Sequence, residues 1–177
     1  MAAFLLAALY VVPALADSSS PRALSLLEEL RQPDLPNWKQ VEQDIMTEWS
    51  KSGSPAMDLL LQRGREAMDA DDLQIAIEHF SALIDHAPDF AEGYNARATA
   101  FFREGRYGPA LADIRHALAL NPHHFAALMG LGAILEEANH PDEALEAYRA
   151  AHDIHPHEPD LNKALERLET ATSGVTL

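Results

Sequence analysis

The sequence predicts an all-α solenoid built from repeated helix-turn-helix units. Three observations carry that prediction. Pro88, Pro122 and Pro156 stand 34 residues apart, twice over. The same offset relates Ala76, Ala110 and Ala144, the bulky Phe80, Ile114 and Tyr148, and the small Gly64, Ala98 and Gly132. It also relates Leu60, Tyr94 and Leu128, and Ile77, Leu111 and Leu145. Within a unit, apolar residues recur at helical spacing, as in Ile77, Phe80, Leu83 and Ile84, then Leu111, Ile114, Ala117 and Leu118. A fixed period of this length marks a chain whose units bury their apolar faces only by stacking.

Each column has a physical reason. Small residues let the two helices of a unit approach closely. Prolines cannot continue a helix interior, so they mark the loops between units. Asp71, Gly105 and Asn139 align in the turns within units, and all three residue types tolerate a left-handed helix terminus.

The clearest unit, "AEGYNARATAFFREGRYGPALADIRHALALNP" (91–122), resembles the tetratricopeptide repeat (TPR). The family's small position falls on Gly64, Ala98 and Gly132, its conserved-type alanine on Ala76, Ala110 and Ala144, and its proline on the three prolines. Arg63 and Arg97 stand where the family carries Leu. The resemblance covers residues 57–156 as three units, approximately 57–90, 91–124 and 125–158.

The flanks differ from the repeat. Residues 1–16, "MAAFLLAALYVVPALA", carry no charged side chain and end in a small-x-small pattern. They read as a signal peptide cut after Ala16, although the n-region has no Lys or Arg. The run is short of the ~20 apolar residues a membrane-spanning helix needs. The mature chain is then expected to be exported, most simply periplasmic, with no stable membrane insertion.

Residues 17–56 predict two N-terminal helices. Ser20 caps the first and Pro21 opens it; Asn37 caps the second. Trp38, Val41, Ile45 and Trp49 form one stripe on the second helix. It reads as a cap on the first repeat, or as a docking helix anchored by Trp38 and Trp49. Residues 158–171, "EPDLNKALERLETA", predict a C-terminal capping helix with Leu161, Leu165 and Leu168 on one face, and 172–177 a frayed tail.

The chain carries a formal net charge of −15 and no cysteine. Nucleic acid and anionic membranes are disfavoured partners, and basic or apolar protein segments fit better. Disulfides, zinc–thiolate sites and Cys nucleophiles are excluded. No glycine-rich phosphate loop, G-x-S-x-G or H-E-x-x-H occurs, so no catalytic role and no cofactor are expected.

The resemblance implies a right-handed superhelix whose concave groove is lined by the first helix of each unit. Groove residues are then Asp58, Leu61, Arg65, Met68 and Asp69; Glu92, Asn95, Thr99, Phe102 and Arg103; and Ala126, Met129, Ala133, Glu136 and Glu137. Such a groove takes an extended peptide or a partner helix, with Asn95 suited to a peptide backbone because its amide donates and accepts. Glu92 follows Asp89 in a D-x-x-E pattern that can instead close a capping box. One TPR subclass grips a C-terminal carboxylate with Lys and Asn on its first unit and Lys and Arg on its third. Here those positions hold Leu61, Arg65, Ala126 and Gly130, so that activity is not expected.

The expected function is a non-catalytic protein-interaction scaffold in the cell envelope. The alternative is a periplasmic metal-binding protein. "AHDIHPHEPD" (151–160) is rich in imidazole and carboxylate, but its residues also suit a helix end, a loop and a helix start. A metal would bridge the loop edge shared by His123, His124, His155 and His157.

Overall fold

The computed structural model describes residues 20–173, and among them nine helices and no strand. Residues 1–19 and 174–177, and with them the expected signal peptide and the last residues of the expected tail, lie outside the described residues. The helices are α1 (Pro21–Leu30), α2 (Trp38–Trp49), α3 (Pro55–Asp69), α4 (Leu73–His86), α5 (Ala91–Arg103), α6 (Tyr107–Leu120), α7 (Phe125–Glu137), α8 (Pro141–His152) and α9 (Pro159–Ser173).

Helices α3/α4, α5/α6 and α7/α8 are the three units, and all three turn in the same way. The helix ends, one further residue follows, and the next adopts positive φ: Asp71 at 63°, Gly105 at 73°, Asn139 at 60°. The backbone N–H after it then reaches back five residues, Asp72 to Ala67, Arg106 to Phe101 and His140 to Leu135, at 2.8–2.9 Å. This is the Schellman closure, which satisfies carbonyls that the helix end leaves open.

The small and bulky columns interlock. A Cβ on Gly64 would lie 2.2 Å from Phe80 Cε1, and one on Gly132 would lie 2.5 Å from Tyr148 Cε1. Both aromatic rings therefore pack directly on the backbone of the facing helix. Phe80, Leu83, Ala98, Ile114 and Ala117 continue this into a core running from the first unit to α7. Leu161 and Leu168 of α9 build a second cluster with Ala144, Tyr148 and Ala151 of α8.

Arg97 replaces the family's Leu by a different device. Its guanidinium grips Asp113 in bidentate fashion at 2.7 and 2.9 Å and also donates to Ser81 Oγ at 3.1 Å. A planar fork matched to a carboxylate is the geometry Arg provides and Lys does not. Arg63, by contrast, is exposed.

The N-terminal helices do not cap the first repeat. Ser20 Oγ accepts from Ala23 N, with Pro21 in the first turn, so α1 starts as the sequence indicates. Asn37 makes no side-chain cap bond. Ala23, Leu27 and Leu30 of α1 meet Val41, Ile45 and Trp49 of α2, and this small core closes on Phe125 and Ile154 of the third unit. The reason is geometric: the apolar stripe of α2 finds its matching surface on the edge between units. The segment after α2 then reaches back to the first unit through Ser52, whose N and Oγ donate to Asp58 Oδ1 at 2.8 and 2.6 Å.

Candidate functional site

Helix α2 lies across the edge of the solenoid where α5 and α7 begin. Its C-terminal Trp49 stacks on His124, with centroids 4.4 Å apart, and tilts against Phe125 at 5.1 Å. At its other end Trp38 meets His155 edge-on at 5.5 Å and stacks on His157 at 6.1 Å. Ser50, just past its end, accepts from Arg65 at 3.0 Å. The two tryptophans thus anchor α2 within this chain, on the histidine-bearing loops, and Trp49 is buried there.

Under Trp49 lies a buried polar hub. Glu92 is 3% exposed and accepts three bonds: from Arg65 Nη2 at 2.5 Å, from Asn95 Nδ2 at 3.1 Å, and at 2.9 Å from His124 Nε2. His124 Nδ1 accepts from Ala127 N, which caps α7 and fixes the tautomer with its hydrogen on Nε2 in the neutral ring. Burial alone would push the Glu92 carboxyl up. The bonds from His124 and Arg65, with the Arg65 charge, outweigh it and hold the group below the usual carboxylate range. Glu92 therefore ties α3 of the first unit, through α5, to the residue that caps α7 of the third. It closes no capping box, because α5 is entered through Phe90 and no side chain caps it.

Two clefts open on the concave side. The first, about 570 Å³, lies between α2 and the groove, lined by Gln43, Met46, Thr47 and Ser50 opposite Arg65, Met68, Asn95 and Thr99. The second, about 320 Å³, is mostly apolar: Phe102, Ile114, Met129, Ala133 and Tyr148 line it, with Asn95 and Thr99 at its border with the first and Asp160, Leu161 and Ala164 of α9 opposite. Asn95 touches both clefts. Its amide nitrogen donates one hydrogen bond to Glu92, which orients the amide between the two clefts.

The other groove residues expected from the sequence divide plainly. Arg65, Met68, Glu92, Asn95, Thr99, Phe102 and Met129 line one cleft or both, as do Ala126 and Ala133. Leu61 is buried in the main core instead. Asp58 holds the α2–α3 connection. Arg103 bonds Met68 O and Asp71 across the first turn. Glu136 receives Tyr148 Oη at 2.8 Å and Arg167 of the capping helix, and Glu137 receives Tyr107 Oη at 3.3 Å. Asp69 is exposed and lines neither cleft.

The four-histidine edge does not assemble as a ligand set. His124 has both nitrogens engaged and His157 Nε2 bonds Gln32 O at 2.8 Å. The group of possible ligands found among the described residues is Glu42, His155 and Glu158, which joins α2 to the loop before α9. The sequence signal for His155 was present, but that for Glu42 was not, since it lies on a distant helix.

Comparison with known proteins agrees with this architecture. A tetratricopeptide-repeat family model matches residues 61–114 and 95–159, and the chain belongs to that family. A TPR repeat-containing protein of Rhizobium etli is 32% identical over 162 residues, covering 89% of this chain and 78% of its own length. A match that long extends past the repeats into the N-terminal segment. The small glutamine-rich tetratricopeptide repeat-containing protein 2 of Saccharomyces cerevisiae is 32% identical over 116 residues, and the match spans only 33% of it. Among solved structures, the first TPR of Spaghetti (RPAP3), bound to the HSP90 peptide SRMEEVD, superimposes with a TM-score of 0.64 at 22% identity, covering 66% of this chain and 93% of that one. MamA gives 0.62 at 21% identity, over 78% and 85%.

Proposed function

We propose that this chain is a non-catalytic adaptor that holds an apolar helix or extended segment of a partner protein in the cleft between α5, α7 and α9. The observation that carries this reading is the cleft itself. Phe102 and Met129 stay partly exposed on its floor, while most polar neighbours on the concave face are bound to one another. Apolar side chains left open in a groove of this kind serve as anchor pockets.

The RPAP3 domain holds an acidic peptide. The positions that would supply a carboxylate clamp here are filled by buried Leu61, by Arg65 committed to Glu92, and by Ala126 and Gly130. With a chain charge of −15, an apolar or basic segment is the better match. We place the mature protein in the periplasm, on the strength of the apolar leader alone.

A photo-crosslinking amino acid at Ala133 tests the reading in the native host. A discrete protein partner crosslinked through an apolar segment is the expected result, with capture lost in Phe102→Asp and Met129→Asp. Capture unchanged by both substitutions would remove the groove from the proposal.

A further inference from the structure

We propose that Glu42, His155 and Glu158 form a divalent-cation site of the kind zinc fills, pinning α2 to the loop that leaves the third unit. One ligand atom from each residue lies within 4.8 Å of the others. His155 is fully buried, yet neither ring nitrogen has a hydrogen-bond partner. Buried polar atoms in folded chains are nearly always satisfied, and an unsatisfied one marks a place where an ion or water belongs.

The spacing suits a metal better than a direct bond. His155 Nε2 stands 3.6 Å from Glu42 Oε1, beyond hydrogen-bond range. Two ligands on a tetrahedral zinc, each ~2.1 Å from the ion, lie about 3.4 Å apart. A shift of a few tenths of an ångström therefore brings this pair into coordination geometry. Trp38 and Phe125 meet the imidazole edge-on at 5.5 and 5.0 Å and hold its orientation.

The donor chemistry favours the same occupant. One imidazole with two carboxylates is a donor set for zinc and its neighbours in the first transition row. Calcium and magnesium prefer all-oxygen sites. His157 contributes packing rather than a bond, because its Nε2 already meets Gln32 O.

The consequence reaches the groove. Glu42 sits on the helix whose Gln43, Met46 and Thr47 form one wall of the larger cleft. An ion here fixes that wall in place.

Calorimetric titration of zinc chloride into the full chain, stripped with chelator, tests the site. One zinc per chain with a micromolar Kd is expected, weakened at least tenfold in Glu42→Gln and in Glu158→Gln. Both glutamates are only half-buried, so these variants keep the fold even if His155→Gln does not. Hydrogen exchange should slow across residues 38–49 when zinc is added. Failure to bind zinc in the micromolar range, or binding within tenfold of the parent in either glutamine variant, overturns the proposal.

Discussion

The indole of Trp49 lies on the imidazole of His124, centroids 4.4 Å apart and planes 24° from parallel, while the same imidazole bonds Glu92 below it. One residue of the N-terminal hairpin thus covers the polar hub that joins all three units. Removing that cover should release the hairpin without dismantling the repeats. Trp49→Ala is expected to weaken hairpin docking by about 3 kcal/mol, the range for a buried Trp truncated to Ala. Hydrogen exchange over residues 21–49 would rise, and exchange in α5 and α6 would stay slow.

Glu92 gives a pH-dependent prediction. Its folded pKa lies below its unfolded value, so its contribution to stability is complete above the unfolded value near 4.5. That contribution is lost as pH falls below 4.5 and through the lower folded value. Glu92→Gln should therefore flatten the acid limb of a stability–pH curve measured by urea melts. At neutral pH it should cost about 2 kcal/mol, from leaving buried donors with a weaker acceptor. An acid limb identical to the parent's would show that other carboxylates set it.

The glycines separate into two kinds. Gly132→Ala forces a methyl into Tyr148 and should destabilise by about 2 kcal/mol. Gly108, in the first turn of α6, has nothing within 4 Å of an added Cβ. Gly108→Ala should stabilise by roughly 0.5 kcal/mol through the lost freedom of the unfolded chain. Thermal melts of the two variants should move in opposite directions.

Arg97 and Asp113 form a half-buried pair inside the solenoid. Arg97→Leu restores the family's usual residue but strands the Asp113 carboxylate, and should cost about 3 kcal/mol. Adding Asp113→Leu should recover most of that loss. A double mutant no more stable than the single would mean the ion pair is not the main interaction between these positions.

The repeat pattern was legible because it is local. Proline columns, small residues facing bulky ones and the positions of Asp71, Gly105 and Asn139 all follow from chemistry within a few turns of helix. The cap residues Ser20 and Pro21 were legible for the same reason. The placement of α2 was not. Its stripe of Trp38, Val41, Ile45 and Trp49 shows that one face must be covered, but not by what. The covering residues, Phe125 at the start of α7, Ile154 and the histidines, lie at the junctions between helices, whose positions depend on the curvature of the stack. Glu92 was legible only in part, for a related reason. A charged residue on the first helix of a unit points to the groove, and Glu92 does line the first cleft, but only the arrival of Arg65 and His124 from outside its own helix makes it a buried acceptor.

The bond from His157 to the carbonyl of Gln32 joins residues 125 apart in sequence. Repeat arrays ordinarily fold from any point and unzip from either end, because each unit touches only its neighbours. Here the first helices are bolted to the exit of the last unit. Loosening of the first helices is thereby coupled to the exit of the third unit, and the closing contact can form only after every unit between them is in place. The chain should therefore melt as one block and complete its folding more slowly than an open array of the same length.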